Sequence, residues 1–313
     1  MIGLVARRLL AAIPVLFIVA LIAFGLLYLA PGDPAAVIAG DIASPEDVAR
    51  IRESLGLNEP FFVRLGIFLN DLLHGNLGTS IFSNQPVTEL IAQRMGPTLS
   101  LACLTIVLSV AIAVPLGALA AWYARSPMDW IALTAGIVGF SVPVFVIAYL
   151  LVWVFSVKLA WFPVQGYKPL STGILTWLHH LTLPAISLAS VYIALITRIT
   201  RTSMLEVIGQ DYIRTARSKG LGDGIIIWRH ALTNASIPIV TVIGIGIALL
   251  MGGVVVTETV FSIPGIGRLL VDAILRRDYP IIQGVMILLS AIYVAVNICV
   301  DISYIFFDPK LRN

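Results

Sequence analysis

Residues 211–239 read DYIRTARSKGLGDGIIIWRHALTNASIPI, a basic, glycine-interrupted segment set between two greasy runs. What surrounds it decides how it is read. Of the 313 residues, 59% are hydrophobic and only 12% charged, and the mean hydropathy is +0.98. That is too apolar for a soluble domain of this size, which needs a far more polar surface. The chain is therefore expected to be an all-α integral membrane protein, with 211–239 as a place where it leaves the bilayer.

A hydrocarbon core of ~30 Å takes about 20 apolar residues per helical crossing. Six windows meet that length, near residues 9–30, 97–123, 130–157, 181–200, 236–260 and 281–306. The first, LLAAIPVLFIVALIAFGLLYLA, follows Arg7 and Arg8 as a signal peptide would. It exceeds the ~7–15 residues of a signal core and runs into PGDPAA instead of a small-residue cleavage site, so it reads as a retained anchor. The fourth is short and carries Pro184, and Gly139, Ser141 and Pro143 predict a local distortion in the third. The fifth contains Gly244, Gly246, Gly252 and Gly253, small residues that let helices approach closely in lipid, and these are candidates for a pathway lining or a helix interface. Glu258 joins them at the outer end of that span, where interfacial solvation is the expected state.

Basic residues fall almost evenly on the two sides of this layout, so orientation rests on discounting the long 31–96 segment, because long loops translocate largely regardless of charge. Both termini and the 201–235 loop are then expected in the cytoplasm. The resulting organisation is an anchor helix at 1–30, an extracytoplasmic segment at 31–96, a five-helix core at 97–306 and a tail at 307–313.

Two short helices are expected in the extracytoplasmic segment. In SPEDVARIRESLGL, Ser44 is the N-cap, Pro45 the first helical residue and Asp47 an acidic partner of the cap; Val48, Ile51 and Leu55 follow at helical spacing, and Gly56 ends the run. In FFVRLGIFLNDLLHG, Phe61, Leu65, Phe68, Leu69 and Leu72 form one apolar stripe.

The opening stretch itself divides at a glycine. Leu205, Ile208, Tyr212 and Ala216 recur at helical spacing while Arg214, Arg217 and Lys219 point elsewhere; Gly220 then stands where a left-handed helix end wants it, and Asp223 is placed to cap a second helix running through Trp228. Arg198, Arg201 and Arg229 are read as topology and anionic-lipid contacts. The compact knob at 211–221, helix then sharp turn, has the shape of a protein-docking element.

Catalytic and metal motifs are missing. None of Lys158, Lys168, Lys219 and Lys310 follows a glycine, so there is no phosphate-binding GxxxxGK loop, and no HExxH occurs. His179 and His180 are adjacent, so they diverge by about 100° on a helix and read as polar interface residues. Cys103 and Cys299 read as small buried hydrophobes. No catalytic residue, bound metal, cofactor or nucleic-acid partner is expected.

The segment RTARSKG, with Ala216 and Gly220 at their spacing, followed by RHALTNASIP, resembles the cytoplasmic signature of the inner-membrane permeases of bacterial ATP-binding-cassette importers, in their dipeptide and oligopeptide branch. Arg214 and Thr215 stand where the general pattern prefers Glu and Ala. ARRLLAAIPVLFIV, LAPGDPA, GNLGTSIFSNQPVTELIAQRMGPTLSL, FSIPGIGRLLVDAI and RDYPIIQG are similar to the first permease of a peptide importer pair, over essentially the whole chain. The resemblance implies a type I importer permease fold with six transmembrane helices and an extracytoplasmic insertion after the first, in the bacterial inner membrane. It further implies a second, homologous permease, two ATP-binding subunits that use ATP and magnesium, and an extracytoplasmic solute-binding protein. Tyr212, Arg214, Thr215, Ala216, Arg217, Ser218, Lys219, Gly220 and Leu221 would then form the coupling helix against an ATPase. The competing reading is a self-contained channel or ion-coupled carrier, which the near absence of charge inside the spans disfavours.

Overall fold

The computed structural model describes residues 2–29, 33–40, 43–54 and 56–307. In chain order the helices are α1 (Ile2–Leu29), α2 (Pro34–Ala39), α3 (Pro45–Ser54), α4 (Phe61–Leu73), α5 (Val87–Trp122), α6 (Pro127–Ser141), α7 (Val144–Leu151), α8 (Ile174–Ile208), α9 (Asp211–Ser218), α10 (Asp223–Ile225), α11 (Leu232–Asn234), α12 (Ser236–Val260), α13 (Ile266–Arg276) and α14 (Tyr279–Phe307). Wider π-helical turns continue α7 over Val152–Lys158 and join α10 to α11 over Ile226–Ala231.

Among the described residues, four helical stretches are long and apolar enough to cross a membrane unbroken: Arg7–Tyr28, Val87–Trp122, Ile174–Ile208 and Tyr279–Ser303. Two further candidates are bent pairs, Pro127–Ser141 with Val144–Lys158 at 101° and Asp223–Asn234 with Ser236–Leu250 at 65°, which bring the number to six if each pair is one span. The first bend falls where Gly139, Ser141 and Pro143 predict a distortion. Val142 is extended (φ −87°, ψ 124°), because the ring of the following Pro143 clashes with a helical conformation at the residue before it.

Pro97–Pro264 and, among the described residues, 295–307 make one compact unit. Its axis is α8, whose buried residues include Leu181, Leu188, Tyr192 and Ile196; they share an apolar core with Leu101 of α5 and Val242 and Leu250 of α12. The window that looks short and carries Pro184 in sequence is thus part of a helix 35 residues long, the most enclosed of the four unbroken spans. Burial among protein neighbours lets α8 carry Ser187, Thr197 and Thr200 inward, which lowers its hydropathy without exposing polar groups to lipid. Cys103 and Cys299, expected to be buried, are exposed on the helix surfaces, as apolar residues facing lipid or a partner are free to be.

Ile2–Gly96 and Gly265–Val294 form the second compact unit. Val87, Ile91, Ile266, Leu269, Ile281 and Val285 make its core. Ser80 donates to the buried Asp278 carboxylate at 2.6 Å, tying the segment before α5 to the corner before α14. Helix α3 begins as its sequence predicts: the Asp47 N–H donates to Ser44 Oγ at 3.2 Å, and Ser44 Oγ donates back to Asp47 Oδ2 at 2.7 Å. Gly56 follows in the left-handed region (φ +62°); Leu55 lies outside the described residues. Helix α4 has no buried residue, yet Phe61 and Phe68 of its apolar stripe touch Phe24 of α1. Arg64 lies over the Phe24 and Tyr28 rings and donates to the Tyr28 hydroxyl. The helix therefore docks by one edge against α1 and leaves Phe62 and Leu73 outside.

The cap on α3 carries a pH signature. Hydrogen bonds from Ser44, and then the charge of Arg50, hold the Asp47 pKa below the ordinary 3.8. A carboxylate whose folded pKa is depressed stabilises its helix fully above the unfolded value and loses that contribution as pH falls through the folded one. Protection of the α3 amides, taken relative to their intrinsic exchange rate at each pH, should therefore be full above the ordinary aspartate range and fall as pH drops below it, and Ser44→Ala should remove most of that dependence. Equal pH sensitivity in the variant would refute the assignment.

Candidate docking site

Helix α8 ends at Ile208, and Gly209 and an extended Gln210 (φ −77°, ψ 151°) separate it from α9. This break resets the helical phase. Leu205 and Ile208 therefore do not predict the inward face of α9: Ile213 and Ala216 are buried at 2% and 8%, while Tyr212 stands 42% exposed. The expectation that Tyr212 continues the apolar stripe is corrected accordingly, whereas Ala216 lies on it. The buried pair rests on Ala118 and Ala121 of α5, Met204 of α8, and Ile226 and Ile227 of the π-helical turns.

The end of α9 is a Schellman closure. Gly220 takes φ +79°, its N–H donates to the Arg217 carbonyl at 3.0 Å, and the Leu221 N–H reaches back to Ala216 O at 3.3 Å. Leu221 then folds onto the same apolar cluster as Ala216, the hydrophobic contact that accompanies this cap. The next helix is capped by Gly222, not Asp223, which occupies the first helical position of α10. A carboxylate there still favours the positive helix end.

On the outer face, Tyr212, Arg214, Thr215, Arg217, Ser218, Lys219 and Gly220 are all exposed. Partial burial raises the Tyr212 phenol pKa above 10.0, so the hydroxyl stays protonated and able to donate. Arg214 pairs with Asp211 at 3.3 Å with both side chains in water, an arrangement worth little by itself, so Arg214 can exchange that partner for another. Arg217 lies 5.0 Å over the Trp122 ring at the end of α5. The element is a short rigid helix with an apolar back seated on the bundle and a polar, net basic front open to a partner.

The other candidates scatter. A Cβ on Gly244 would stand 2.1 Å from Val300 Cγ2 of α14, and one on Gly246 would stand 3.3 Å from the Tyr192 ring of α8, so both lie at helix interfaces within the chain. Nothing lies within 4 Å of a Cβ on Gly252, and the surroundings of Gly253 lie outside the described residues. Glu258 is fully buried and accepts a hydrogen bond from Thr98 Oγ1 at 2.6 Å. Interfacial solvation, expected from its place near a span end, is thus corrected: α5 covers it. His179 and His180 each donate from a ring nitrogen to a backbone carbonyl, of Trp161 and Thr176, at 2.7 and 2.9 Å.

Arg201, read from sequence as a topology or anionic-lipid residue, has a partner within the chain. Its Nε and Nη2 grip both oxygens of Asp129, the latter at 2.7 Å, with 20% and 4% side-chain exposure. Asp129 goes unnoticed in the sequence because it sits within the first turn of a span, where an acid is unremarkable beside a helix N-terminus.

Residues 113–313 match the family model described as binding-protein-dependent transport system inner membrane component, and residues 1–102 match the N-terminal model of the same description. A probable peptide ABC transporter permease protein of Sinorhizobium fredii is 51% identical, with 98% of each chain covered. A dipeptide transport system permease protein of Alkalihalophilus pseudofirmus is 40% identical, again with 98% of each chain covered. Among solved structures, the inward-facing MetNI methionine ABC transporter matches with a TM-score of 0.58 at 16% identity, over 71% of this chain and 97% of that one. At that identity the likeness is one of fold, the type I permease arrangement.

Proposed function

Because the chain belongs to the binding-protein-dependent transport system inner membrane components and is the permease subunit of an ATP-binding-cassette importer, we propose that α9 and its turn through Leu221 are the element that seats on a cytoplasmic ATPase. One observation carries this reading. The chain closes an amphipathic knob between Asp211 and Leu221, buries its back through Ile213 and Ala216, and leaves its basic front exposed.

A binding-protein-dependent permease works with an ATPase and a substrate-binding protein. The finer arrangement belongs to the proposal: a second, homologous permease completes the pathway, both termini and the knob face the cytoplasm, and ATP and magnesium are held by the partner ATPases. Cargo is a short peptide or a solute of like size, the reading supported by the names of the peptide and dipeptide permeases. When the ATPases close on nucleotide, the seated knob moves with them and tilts the helices on which it rests. Nucleotide binding then biases two orientations of the pathway, which requires a contact whose energy differs between the states.

Purification of the C-terminally tagged chain from native membranes in mild detergent, followed by mass spectrometry, tests this reading. A second permease and ATPase subunits should accompany it, and Arg214→Glu should reduce ATPase recovery severalfold while the permease yield stays level. A homo-oligomer that transports without any ATPase would overturn the proposal.

A further inference from the structure

The corner between α5 and α6 is held from two sides. Ser126 N–H donates to the Tyr123 carbonyl at 3.0 Å, and Arg125 adopts φ +67°, a left-handed conformation that a non-glycine residue holds only when its surroundings impose it. Asp129 supplies the hold: one carboxylate oxygen accepts the Arg125 N–H at 2.8 Å, and both oxygens receive the Arg201 guanidinium. The corner is thereby fixed to α8. On its other side, Trp122 lies under Arg217 of α9, and Ala118 and Ala121 pack with Ile213 and Ala216.

This arrangement bridges a weak point. The covalent path from α8 to α9 runs through Gly209 and an extended Gln210, two residues with no helical continuity. Beyond that link, α9 is held to α8 by apolar packing against Met204, with no hydrogen bond or ion pair among the described residues to fix its direction. The corner supplies a second path from α9 through Trp122 and Asp129 back to Arg201.

We propose that Asp129 and Arg201 are positioning residues for coupling, and that their ion pair makes the α5–α6 corner a brace that keeps α9 and the end of α8 moving as one body. The inference rests on α9 being the ATPase-seated element. Neither residue meets the partner; both act through the geometry of the knob. Lysine at position 201 keeps the charge but loses the planar fork that engages two oxygens. Removal of one partner alone leaves a buried charge uncompensated, so a variant that neutralises both separates loss of the brace from misfolding.

The test uses the complete importer in nanodiscs, with Cys103 and Cys299 replaced by serine and spin labels on Thr202→Cys of α8 and Ser218→Cys of α9, both exposed positions. Pulsed electron paramagnetic resonance then compares nucleotide-free and ATP–vanadate-trapped samples. With the ion pair intact, one narrow distance peak should persist unshifted in both states. In Arg201→Lys and in Asp129→Asn/Arg201→Gln, trapping should shift or split that peak. A shift with the pair intact, or an unshifted peak in both variants, overturns the brace. ATPase content, measured on every sample, keeps the two ideas apart: a peak that shifts with the pair intact and ATPase bound counts against the brace alone, whereas ATPase recovery that Arg214→Glu leaves unchanged counts against the docking assignment.

Discussion

With valine at position 220, the chain should still accumulate in the membrane as a folded particle but retain roughly tenfold less ATPase, the factor set by a left-handed residue costing about 1–2 kcal/mol for an L side chain. No atom lies within 4 Å of a Cβ at Gly220, so the effect comes from its φ of +79° and not from a clash. Valine, branched at Cβ, is among the residues least able to hold that conformation. If the turn opens, the Gly220 and Leu221 bonds to Arg217 and Ala216 are lost together, Leu221 leaves its apolar backing, and the last turn of α9 frays. Asparagine tolerates the left-handed region, so Gly220→Asn should keep most of the ATPase. Gly222→Ala, at φ −66°, should be silent. Quantitative mass spectrometry of ATPase per permease reads all three. Normal stoichiometry in the valine variant would refute the docking assignment, as would equal loss in all three.

Much of this arrangement is legible in the sequence, for reasons that differ by residue. The long apolar runs announce themselves because a bilayer demands length and composition, and both are local properties. Gly220 is legible because a helix stop has a steric requirement that few residues meet, and the Ser44–Asp47 cap because its partners are three residues apart. Where the reading of α9 fails, at Tyr212 against Ile213, the periodicity is carried across Gly209 and Gln210 as though the helix were continuous. Glu258 fails differently: its position near a span end describes the distance to water along the chain, whereas its burial depends on Thr98, 160 residues away. Asp129 and Arg201 are 72 residues apart, and no spacing rule joins an acid at one helix start to a base late in another. What escapes is the pairing of elements, which one sequence read alone does not encode locally.

Pairing also sets the second large effect, at Gly117. This residue lies in α5 along a seam of fully buried Ala113, Ala118 and Ala120, facing Thr197 and Thr200 of α8. A Cβ built there would stand 2.7 Å from the Thr197 carbonyl oxygen and 2.7 Å from Thr200 Cβ. Close backbone approach at small residues is how helices associate in lipid, where no hydrophobic drive draws them together. Gly117→Leu should therefore part α5 from α8 at the level of Ala113, whose carbonyl accepts a 3.4 Å bond from Thr197 Oγ1. Overpacking a core typically costs about 1–3 kcal/mol, and here the obstacle includes backbone of the most enclosed helix, which yields only if α8 itself moves. Distance alone would rank Gly244→Ala as worse, since its Cβ would lie 2.1 Å from Val300 Cγ2. That neighbour is one side chain, Val300, whose Cβ and Cγ1 also lie at 3.2 Å and which is stiff at χ1 in a helix, so α14 must give locally; no backbone atom stands in the way, and the milder outcome is expected there. Thermal challenge in detergent followed by size-exclusion chromatography should show Gly117→Leu aggregated at temperatures where Gly244→Ala remains monodisperse. The reverse order would mean that α5 and α8 adjust more easily than a single valine, and that the seam is not what holds the bundle together.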